Sequence, residues 1–333
     1  MPSKLLAPFF GRRNADLNQQ AEQSLAIDPK FDPAFYRSSN ADLAEMSDAQ
    51  LAAHFEKHGR NEGRSPIAGA DRESFLRFIP AQGLALEIGP FGRPVLSGEH
   101  VRYADVMSTE QMKAVAADHG MDPDKCPTIH YLVNETPLES IDERFVTVFS
   151  SHCIEHQTDL LGHLRAVGKL LEPGGSYFVI VPDKRYCFDH FRAESTLGDV
   201  FAAHAEKRTR HDLRTLLNQF SLLAHNDQTR HWAGDHGDPA YLHRPQCLEE
   251  AVWTFDSAAG AYVDAHAWQF TPESFEAICG ALHAQGHMAL RPAAVFPTLF
   301  NRNEFCAILT RCAVAAGSAR RAQAERSDSI NST

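Results

Sequence analysis

Short apolar runs alternate with helical patterns from Leu84 onward, and this alternation constrains the fold of the 333-residue chain more than any other feature. Five runs have the length of a buried strand: 84–88, 101–104, 129–133, 145–150 and 177–181. Strands separated by helices pair in parallel, and the helices then cover both faces of the sheet. The sequence therefore predicts an α/β fold built on one large sheet.

Helical patterns fill the gaps between these runs. After the fourth run, apolar residues recur at steps of four, three and four, at Leu160, Leu164, Val167 and Leu171. Pro173-Gly174-Gly175 is expected to end this helix. A later helix is expected to begin at Thr271, which a proline and an acid follow, and to end at Gly286. Two further strands are predicted at 289–296 and 304–310.

The first seventy residues are polar and are expected to form a helical appendage. Ser47 to Gln50 makes a capping box, and Leu51 and Phe55 lie on one helical face. The last seventeen residues are small, polar and charged, which is typical of disorder. The chain is thus predicted to contain an appendage (1–70), a main domain (71–316) and a disordered tail (317–333). An insert (185–264) is predicted within the main domain.

Charge balance and cysteine content narrow the range of partners and compartments. Thirty-two Lys and Arg against 43 Asp and Glu give a net charge of −11, which disfavours a nucleic acid partner. Seven cysteines without a C-x-x-C pair indicate a reducing compartment. The first ten residues lack the apolar segment of a signal peptide or a membrane span, so we expect a cytoplasmic location and no membrane span.

A glycine turn follows the first predicted strand, where an open parallel sheet binds its ligands. The stretch from Leu86 to Gly92 has only two glycines, so the dinucleotide fingerprint G-x-G-x-x-G is incomplete. Glu87 and Asp105 lie at the ends of the first two strands, where a carboxylate accepts hydrogen bonds from both hydroxyls of a ribose. These features favour an adenosine-bearing cofactor over a pyrophosphate-bound dinucleotide. A purely structural glycine turn is the alternative.

Four segments resemble, in order, the motifs of class I S-adenosylmethionine-dependent methyltransferases of the type 11 kind: 86–90, Asp105, 151–156 and 170–175. Trp268 to Phe275 is similar to a helix opening common late in that domain. The resemblance implies a Rossmann-like seven-stranded sheet of order 3-2-1-4-5-7-6, with strand 7 antiparallel and helices on both faces. It also implies S-adenosylmethionine as the cofactor.

The resemblance further implies which residues contact this cofactor. They are Glu87, Gly89, Pro90, Gly92, Asp105, Asn134, Glu135, Ser151 and His152. Asp105 would hold the ribose, and either Asn134 or Glu135 would lie beside the adenine. Ser151 and His152 are expected to contact the cofactor or the substrate. The family's third loop glycine is absent, since Pro90 and Phe91 occupy this part of the loop.

His152, Glu155 and His156 also fit the H-x-x-E-H pattern of the inverted zinc proteases. Zinc requires a third ligand, and none follows at a defined spacing. His156 is also expected to begin a helix rather than to share a helical face with His152. We therefore predict no bound metal and interpret the segment as a turn, in which His156 either caps the helix or contacts a ligand.

The cofactor itself supplies a good leaving group, so the protein mainly has to align the reacting atoms. A hydroxyl acceptor also needs a general base. The predicted insert is longer than a crossover needs and would form a lid over the substrate. Within it, His231 and His236 flank Asp235, which could orient an imidazole, so both histidines are candidate bases. Tyr186 and Asp183 are the reserve candidates. A solvated loop whose histidines bind nothing is the alternative.

The appendage gives the only indication of a pathway. Residues 31–36 and 54–64 resemble a short helical module attached to bacterial glycosyltransferases and surface-polysaccharide enzymes. This resemblance implies a small-molecule or glycan acceptor, with a docking or homodimerisation segment as the alternative. The predicted function is S-adenosylmethionine-dependent methyl transfer. Because the loop is one glycine short, the alternative is a non-catalytic scaffold or sensor that binds the cofactor.

Overall fold

One seven-stranded sheet organises residues 31–312, the part of the chain that this computed structural model describes. Its strands are β1 (Ala85–Ile88), β2 (Val101–Asp105), β3 (Tyr131–Leu132), β4 (Phe145–Ser151), β5 (Leu171–Pro182), β6 (Leu290–Val295) and β7 (Glu304–Arg311). Their order is β3-β2-β1-β4-β5-β7-β6. β7 runs antiparallel to β5 and β6, whereas the other pairs are parallel. The predicted strand order is confirmed, and it is that of the class I methyltransferase fold.

Helices cover both faces of this sheet. In chain order they are α1 (Pro33–Ser39), α2 (Asp48–His54), α3 (Arg72–Leu76), α4 (Thr109–Asp118), α5 (Leu160–Leu170), α6 (Leu197–Ala205), α7 (Leu213–Ser221), α8 (Gln228–Trp232), α9 (Cys247–Ser257) and α10 (Pro272–Ala284). No helix between residues 31 and 312 combines the length and the apolar character that crossing a bilayer requires.

The residues of β5 alternate between two hydrophobic cores. Tyr177, Val179 and Val181 pack with the apolar faces of α5 and α10, whereas Phe178 and Ile180 pack on the opposite face with α3. All five side chains are at most 4% exposed. Burying each of them stabilises the fold by roughly 1.5–3 kcal/mol, so the centre of the sheet rigidly anchors the loops that follow its strands.

The helix before β5 ends earlier than its apolar spacing predicts. α5 stops at Leu170, and Leu171 already pairs with Phe145 as the first residue of β5. The predicted stop signal Pro173-Gly174-Gly175 therefore lies inside a bulge of the strand. A side chain at Gly175 would approach a backbone carbonyl oxygen to 2.9 Å, which explains why the bulge requires glycine there.

The N-terminal segment has a small core of its own. Four buried residues form a cluster separate from the sheet: Tyr36, Leu43, Leu51 and Phe55. The predicted capping box between Ser47 and Gln50 is present at the start of α2. The boundaries 1–70, 71–316 and 317–333 stay predictions. Residues 1–30 and the predicted tail lie outside the described part of the chain.

The predicted insert, 185–264, combines four helices with long loops. Its helices are α6 to α9. α7 packs against α9 around Leu216 and Ala251. A cavity of about 310 Å³ opens beside His225, Arg230 and Arg244. All of its lining residues belong to the insert, and none belongs to a strand of the sheet.

Candidate functional site

Gly89, directly after β1, occupies a position where the backbone requires glycine. Its φ is 71°, and its N–H donates to the carbonyl oxygen of Ala104 at 2.9 Å. A Cβ on Gly89 would lie 3.1 Å from Sγ of Cys153, in the loop after β4. The loops after β1 and β4 are therefore in close contact at the carboxyl end of the sheet.

Phe91 lies where the resemblance predicts a third glycine, and its backbone is left-handed. Its φ is 39°, and its side chain is 46% exposed. A left-handed conformation costs a residue with a side chain roughly 1–2 kcal/mol. Pro90 before it is buried, and its carbonyl oxygen accepts the N–H of Arg93 at 2.9 Å. Phe91 thus adopts a backbone conformation that glycine would adopt without cost. Strained residues of this kind are characteristic of ligand sites.

The carboxylate of Glu87 is buried beneath this loop. Its oxygens accept hydrogen bonds from the N–H of Val95 at 2.9 Å and the N–H of Leu96 at 2.8 Å. Burial raises the pKa of Glu87 to about 7. Glu87 therefore holds the chain that follows the glycine turn, and its direct contact with a cofactor stays a prediction.

The raised pKa of Glu87 predicts that the fold loses stability as this carboxyl group ionises. The pKa of Glu87 is about 7 in the folded chain and 4.5 ordinarily. The stability that the protonated carboxyl group contributes to the fold is therefore fully present below about pH 4.5 and is lost as the pH rises through 7. We expect the free energy of unfolding to fall by up to about 3 kcal/mol between about pH 5 and pH 8. Denaturant titrations at several pH values should show that the unfolding free energy of Glu87→Gln falls less with rising pH than that of the wild type. An equal fall in both proteins would exclude Glu87 as its source.

The ends of β2 and β3 are tied together where the ribose and adenine were predicted to bind. Asp105 is 5% exposed, its Oδ1 accepts the N–H of Met107 at 2.9 Å, and burial raises its pKa. Asn134 donates from Nδ2 to the carbonyl oxygen of Val106 at 2.8 Å. Asn134 and Glu135 are both exposed. Their contacts with a cofactor stay predictions.

A polar network closes the carboxyl end of β4. Arg72 donates to both oxygens of Glu304 at 3.0 Å and to Oγ of Ser151 at 2.7 Å. Nε2 of His152 lies 2.7 Å from Oε2 of Glu304. Although burial opposes ionisation, the hydrogen bonds from His152 and Arg72 lower the pKa of Glu304 to about 2. Glu304 is therefore a carboxylate at neutral pH and orients the His152 ring.

His152 itself combines backbone strain with access to solvent. Its φ is 49°, and its side chain is 36% exposed. Its N–H donates to the carbonyl oxygen of Ile180 at 2.9 Å, which fixes the residue to β5. With Nε2 on Glu304, the second ring nitrogen, Nδ1, is left for a ligand.

Glu155 lies beside His152 at the centre of a buried polar cluster. It is fully buried, and neither carboxylate oxygen accepts a hydrogen bond from any residue between 31 and 312. Its Oε1 lies 3.8 Å from Nδ1 of His152, 3.8 Å from Nε2 of His156 and 3.9 Å from Nε2 of His266. A hydrogen bond from the N–H of Ala267 to the Glu155 carbonyl oxygen, 2.7 Å long, brings the His266 segment to this loop.

His156 and His266 each have a carboxylate at the other ring nitrogen. Nδ1 of His156 lies 2.8 Å from Asp264, but without the angle of a hydrogen bond, so the contact is an ion pair. This contact lowers the pKa of Asp264 to about 2. Nδ1 of His266 lies 2.5 Å from Asp189, which also pairs with Arg192 at 2.8 Å. Although burial opposes it, His266 and Arg192 lower the pKa of Asp189.

The histidines predicted as bases lie in a separate group. Nδ1 of His231 lies 3.0 Å from Nδ1 of His236, and Nε2 of His231 lies 2.9 Å from the carbonyl oxygen of His225. Both ring nitrogens of His231 are therefore engaged, and the residue is 2% exposed. Asp235 does not orient either ring as expected, because its carboxylate pairs with Arg230 at 2.8 Å. The role of His231 or His236 as a base stays a prediction.

The reserve candidates are held by other contacts. Asp183 is fully buried, and its carboxylate accepts hydrogen bonds from Arg185 and from Oγ1 of Thr298. Tyr186 stacks on Trp232 with 3.9 Å between ring centroids, and burial raises the pKa of its hydroxyl. Both side chains follow β5 as predicted, and the structure shows them mainly in packing and ion-pair roles.

Three residues of this site were not predicted as site residues: Glu155, His266 and Glu304. Glu155 was considered as the acid of the H-x-x-E-H pattern and then interpreted as part of a turn. His266 stands two residues before the Trp268 motif, and Glu304 begins a predicted strand. No sequence spacing relates His266 or Glu304 to His152. The sequence alone therefore could not predict that these side chains lie close together.

No protein-family model matches the chain, and no curated protein sequence matches it. Among solved structures it is similar to the mitomycin 7-O-methyltransferase MmcR, at 11% identity over 84% of this chain and 60% of that one, with a TM-score of 0.33. It is also similar to the CcbJ methyltransferase from Streptomyces caelestis, at 15% identity over 79% and 96%, with a TM-score of 0.37. An S-adenosylmethionine-dependent methyltransferase from Mesorhizobium loti gives 16% identity over 72% and 96%, with a TM-score of 0.37.

The chain spans only part of some of these proteins, since it covers 60% of MmcR and 58% of the CurJ carbon methyltransferase. Similarity at these identities and TM-scores does not identify an activity or a substrate. Support for a function therefore comes from the residues of the site.

Proposed function

We propose that this chain is an S-adenosylmethionine-dependent methyltransferase that acts on a small-molecule or glycan acceptor. The observation that carries the proposal is the position of three residues: Gly89, Asp105 and His152 lie at the carboxyl ends of the neighbouring strands β1, β2 and β4. Open parallel sheets bind ligands at this edge, where the strand order reverses. Since β1 lies between β2 and β4, the three residues surround that point.

The residues at this edge fit a nucleoside cofactor. Gly89 permits close approach of a ligand, because any side chain there would already contact Cys153. Asp105 has oxygen lone pairs beyond its bond to the Met107 N–H, and ribose hydroxyls need such acceptors. When bound, S-adenosylmethionine supplies a methyl group on a sulfonium, which is a good leaving group.

His152 is suited to take the proton that the acceptor releases. Its Nε2 donates to the Glu304 carboxylate, which favours the tautomer with a free lone pair on Nδ1. Nδ1 then accepts the proton of the acceptor hydroxyl as that oxygen is methylated. The strained backbone of His152 and its exposure support this role, because strain of this kind persists where ring position matters.

His231, His236, Tyr186 and Asp183 remain alternative bases. Among them His236 is the most suitable, since both ring nitrogens of His231 are engaged and Asp183 already accepts several hydrogen bonds. The alternative function is a scaffold or sensor that binds the cofactor without turnover. The missing third glycine of the loop supports this alternative, because Pro90 and Phe91 stand there instead and would narrow the space at the methionine end.

A glycan acceptor and a role in surface-polysaccharide biosynthesis belong to the same proposal. Their support is the likeness of residues 31–36 and 54–64 to a module of such enzymes. The separate hydrophobic cluster of this segment is consistent with an independent docking unit or with a homodimer contact. A cytoplasmic location is proposed on composition alone.

Replacing Asp105 with Ala tests the proposed function. We expect the affinity for S-adenosylmethionine to fall by about 1.5–3 kcal/mol, because charge-assisted hydrogen bonds to the ribose are lost. Calorimetric titration with S-adenosylmethionine, S-adenosylhomocysteine and NAD measures this change. Asp118→Ala, which removes an exposed carboxylate at the end of α4, is the matched control and should bind like the wild type.

Three outcomes of this titration and of a methyl-transfer assay lead to different conclusions. A wild-type chain that binds neither sulfur compound contradicts the proposal, and unchanged affinity in Asp105→Ala removes Asp105 from the site. Binding without turnover on any nucleotide sugar or glycan would favour the scaffold or sensor.

A further inference from the structure

The carboxylate of Glu155 lies in the protein interior without a hydrogen-bond donor, and three histidine nitrogens lie 3.8–3.9 Å from its Oε1. The residue is fully buried, and neither oxygen accepts a hydrogen bond from the described chain. Moving a carboxylate out of water is costly unless a cation or several donors compensate it. Buried polar groups are almost always paired, so two unpaired oxygens next to a functional edge point to a ligand.

Two imidazole nitrogens lie around the same space. Nε2 of His156 is 3.8 Å and Nε2 of His266 is 3.9 Å from Oε1 of Glu155. All three atoms lie within 4.8 Å of one another. These distances are too long for direct hydrogen bonds. An ion about 2.0–2.2 Å from each atom would bridge them after a small contraction.

Each ring has a carboxylate beside its outer nitrogen, and that of His266 is hydrogen-bonded, as is usual for metal-binding histidines. Nδ1 of His156 lies 2.8 Å from Asp264, and Nδ1 of His266 lies 2.5 Å from Asp189. A carboxylate at the outer nitrogen fixes the ring orientation and leaves the lone pair on Nε2 for the ion. The arrangement therefore includes the supporting contacts as well as the ligand atoms.

We propose that Glu155, His156 and His266 bind a divalent first-row transition-metal ion, and that Zn²⁺ fits them best. Two imidazoles and one carboxylate are a known zinc ligand set, and they leave a fourth position for water or an acceptor oxygen. No metal was predicted from the sequence because the H-x-x-E-H segment lacks a nearby third ligand. His266 supplies that ligand from the segment before α10.

A second group of histidines competes for the ion. His190, His231 and His236 also have ring nitrogens within 4.8 Å of one another. Both ring nitrogens of His231 are already engaged, by His236 and by the His225 carbonyl oxygen, and Nδ1 of His190 bonds to the Arg185 carbonyl oxygen. None of the three has a carboxylate partner within residues 31–312. An ion there would displace existing bonds, which favours the Glu155 site.

Zinc binding to the full chain tests this proposal. The protein is stripped with a chelator and titrated calorimetrically with ZnCl₂, and bound zinc is counted by elemental analysis after gel filtration. The wild type should bind one zinc ion per chain. Glu155→Gln and His266→Ala should weaken binding by more than about 100-fold, because changes in supporting contacts alone cost 10- to 100-fold. His231→Ala, the matched control in the competing group, should bind zinc like the wild type.

Thermal unfolding gives a second measurement and shows that the variants fold. Zinc should raise the Tm of the wild type and of His231→Ala, but not that of Glu155→Gln. Without zinc, Glu155→Gln should unfold cooperatively at a temperature close to that of the wild type, because glutamine has the size and shape of glutamate, and this shows that the variant folds.

Three results would overturn the proposal: a wild type that binds no zinc, equal zinc affinity in Glu155→Gln and the wild type, or loss of zinc in His231→Ala with retention in Glu155→Gln. Methyl transfer is not measured in any of these experiments. A failure of the proposed methyltransferase function therefore leaves their outcomes unchanged.

Discussion

Replacing His152 with Asn is expected to lower the rate of methyl transfer by roughly 10²–10⁴, while the affinity for S-adenosylmethionine changes little. The substitution removes Nδ1, the proposed proton acceptor, which acts on the methyl acceptor in the transition state. Asn is the appropriate replacement because it tolerates the left-handed φ of 49° better than most residues. Glu304 keeps its ion pair with Arg72, so the surrounding network stays closed.

Turnover is measured with an acceptor found by screening nucleotide sugars and glycans, and cofactor affinity is measured by calorimetry. His231→Ala and His236→Ala are assayed in parallel, because both residues were predicted as bases from the sequence. Wild-type turnover in His152→Asn together with a large loss in His236→Ala would place the base in the insert. Wild-type turnover in all three variants would make Tyr186 and Asp183 the next residues to replace.

The sheet was predictable because each element carries its own local signal. β1, β4 and β5 are apolar runs, and α10 begins with a threonine cap and a proline in its first turn, as its sequence predicted. The boundary that differs most, between α5 and β5 at Leu171, depends on pairing with Phe145 in another strand. Tertiary pairing overrode the helical spacing there, and no local signal reports such pairing.

The contact between His152 and Glu304 follows from strand direction rather than from sequence proximity. Because β7 runs antiparallel to β5, its first residue, Glu304, pairs with Pro182 at the edge where the parallel strands end. The antiparallel strand was implied by the family resemblance. Which of its side chains would meet His152 depends on register, and register was not readable from the sequence alone.

Proximity in the sequence was misleading for Asp235. It was expected to orient His231 or His236, but Arg230 takes its carboxylate instead. Conversely, Glu155 and His266 are far apart in the sequence, and the backbone bond from Ala267 to Glu155 joins them. Polar side chains have no periodic signal comparable to that of apolar faces, so clusters of this kind emerge only from the folded chain.

Replacing Arg192 with Ala is expected to destabilise the fold by about 3–5 kcal/mol. Arg192 is 4% exposed and donates to Oδ1 of Asp189 at 2.8 Å and to the carbonyl oxygen of His266 at 2.6 Å. Without the guanidinium, the buried Asp189 carboxylate keeps only the His266 ring as a side-chain hydrogen-bond partner. The desolvation cost of that carboxylate is then largely uncompensated, which is the reason for the large expected loss.

Urea unfolding followed by tryptophan fluorescence compares this variant with two controls. Arg230→Ala breaks a surface ion pair and should be about as stable as the wild type, because exposed pairs contribute little. The double variant Asp189→Leu/Arg192→Leu should be more stable than Arg192→Ala, because it leaves no unpaired charge from this pair. A loss below about 1 kcal/mol in Arg192→Ala would mean that water compensates Asp189. The cluster around His266 would then be open to solvent. A bound ion compensates the burial of the Glu155 carboxylate best where solvent is excluded.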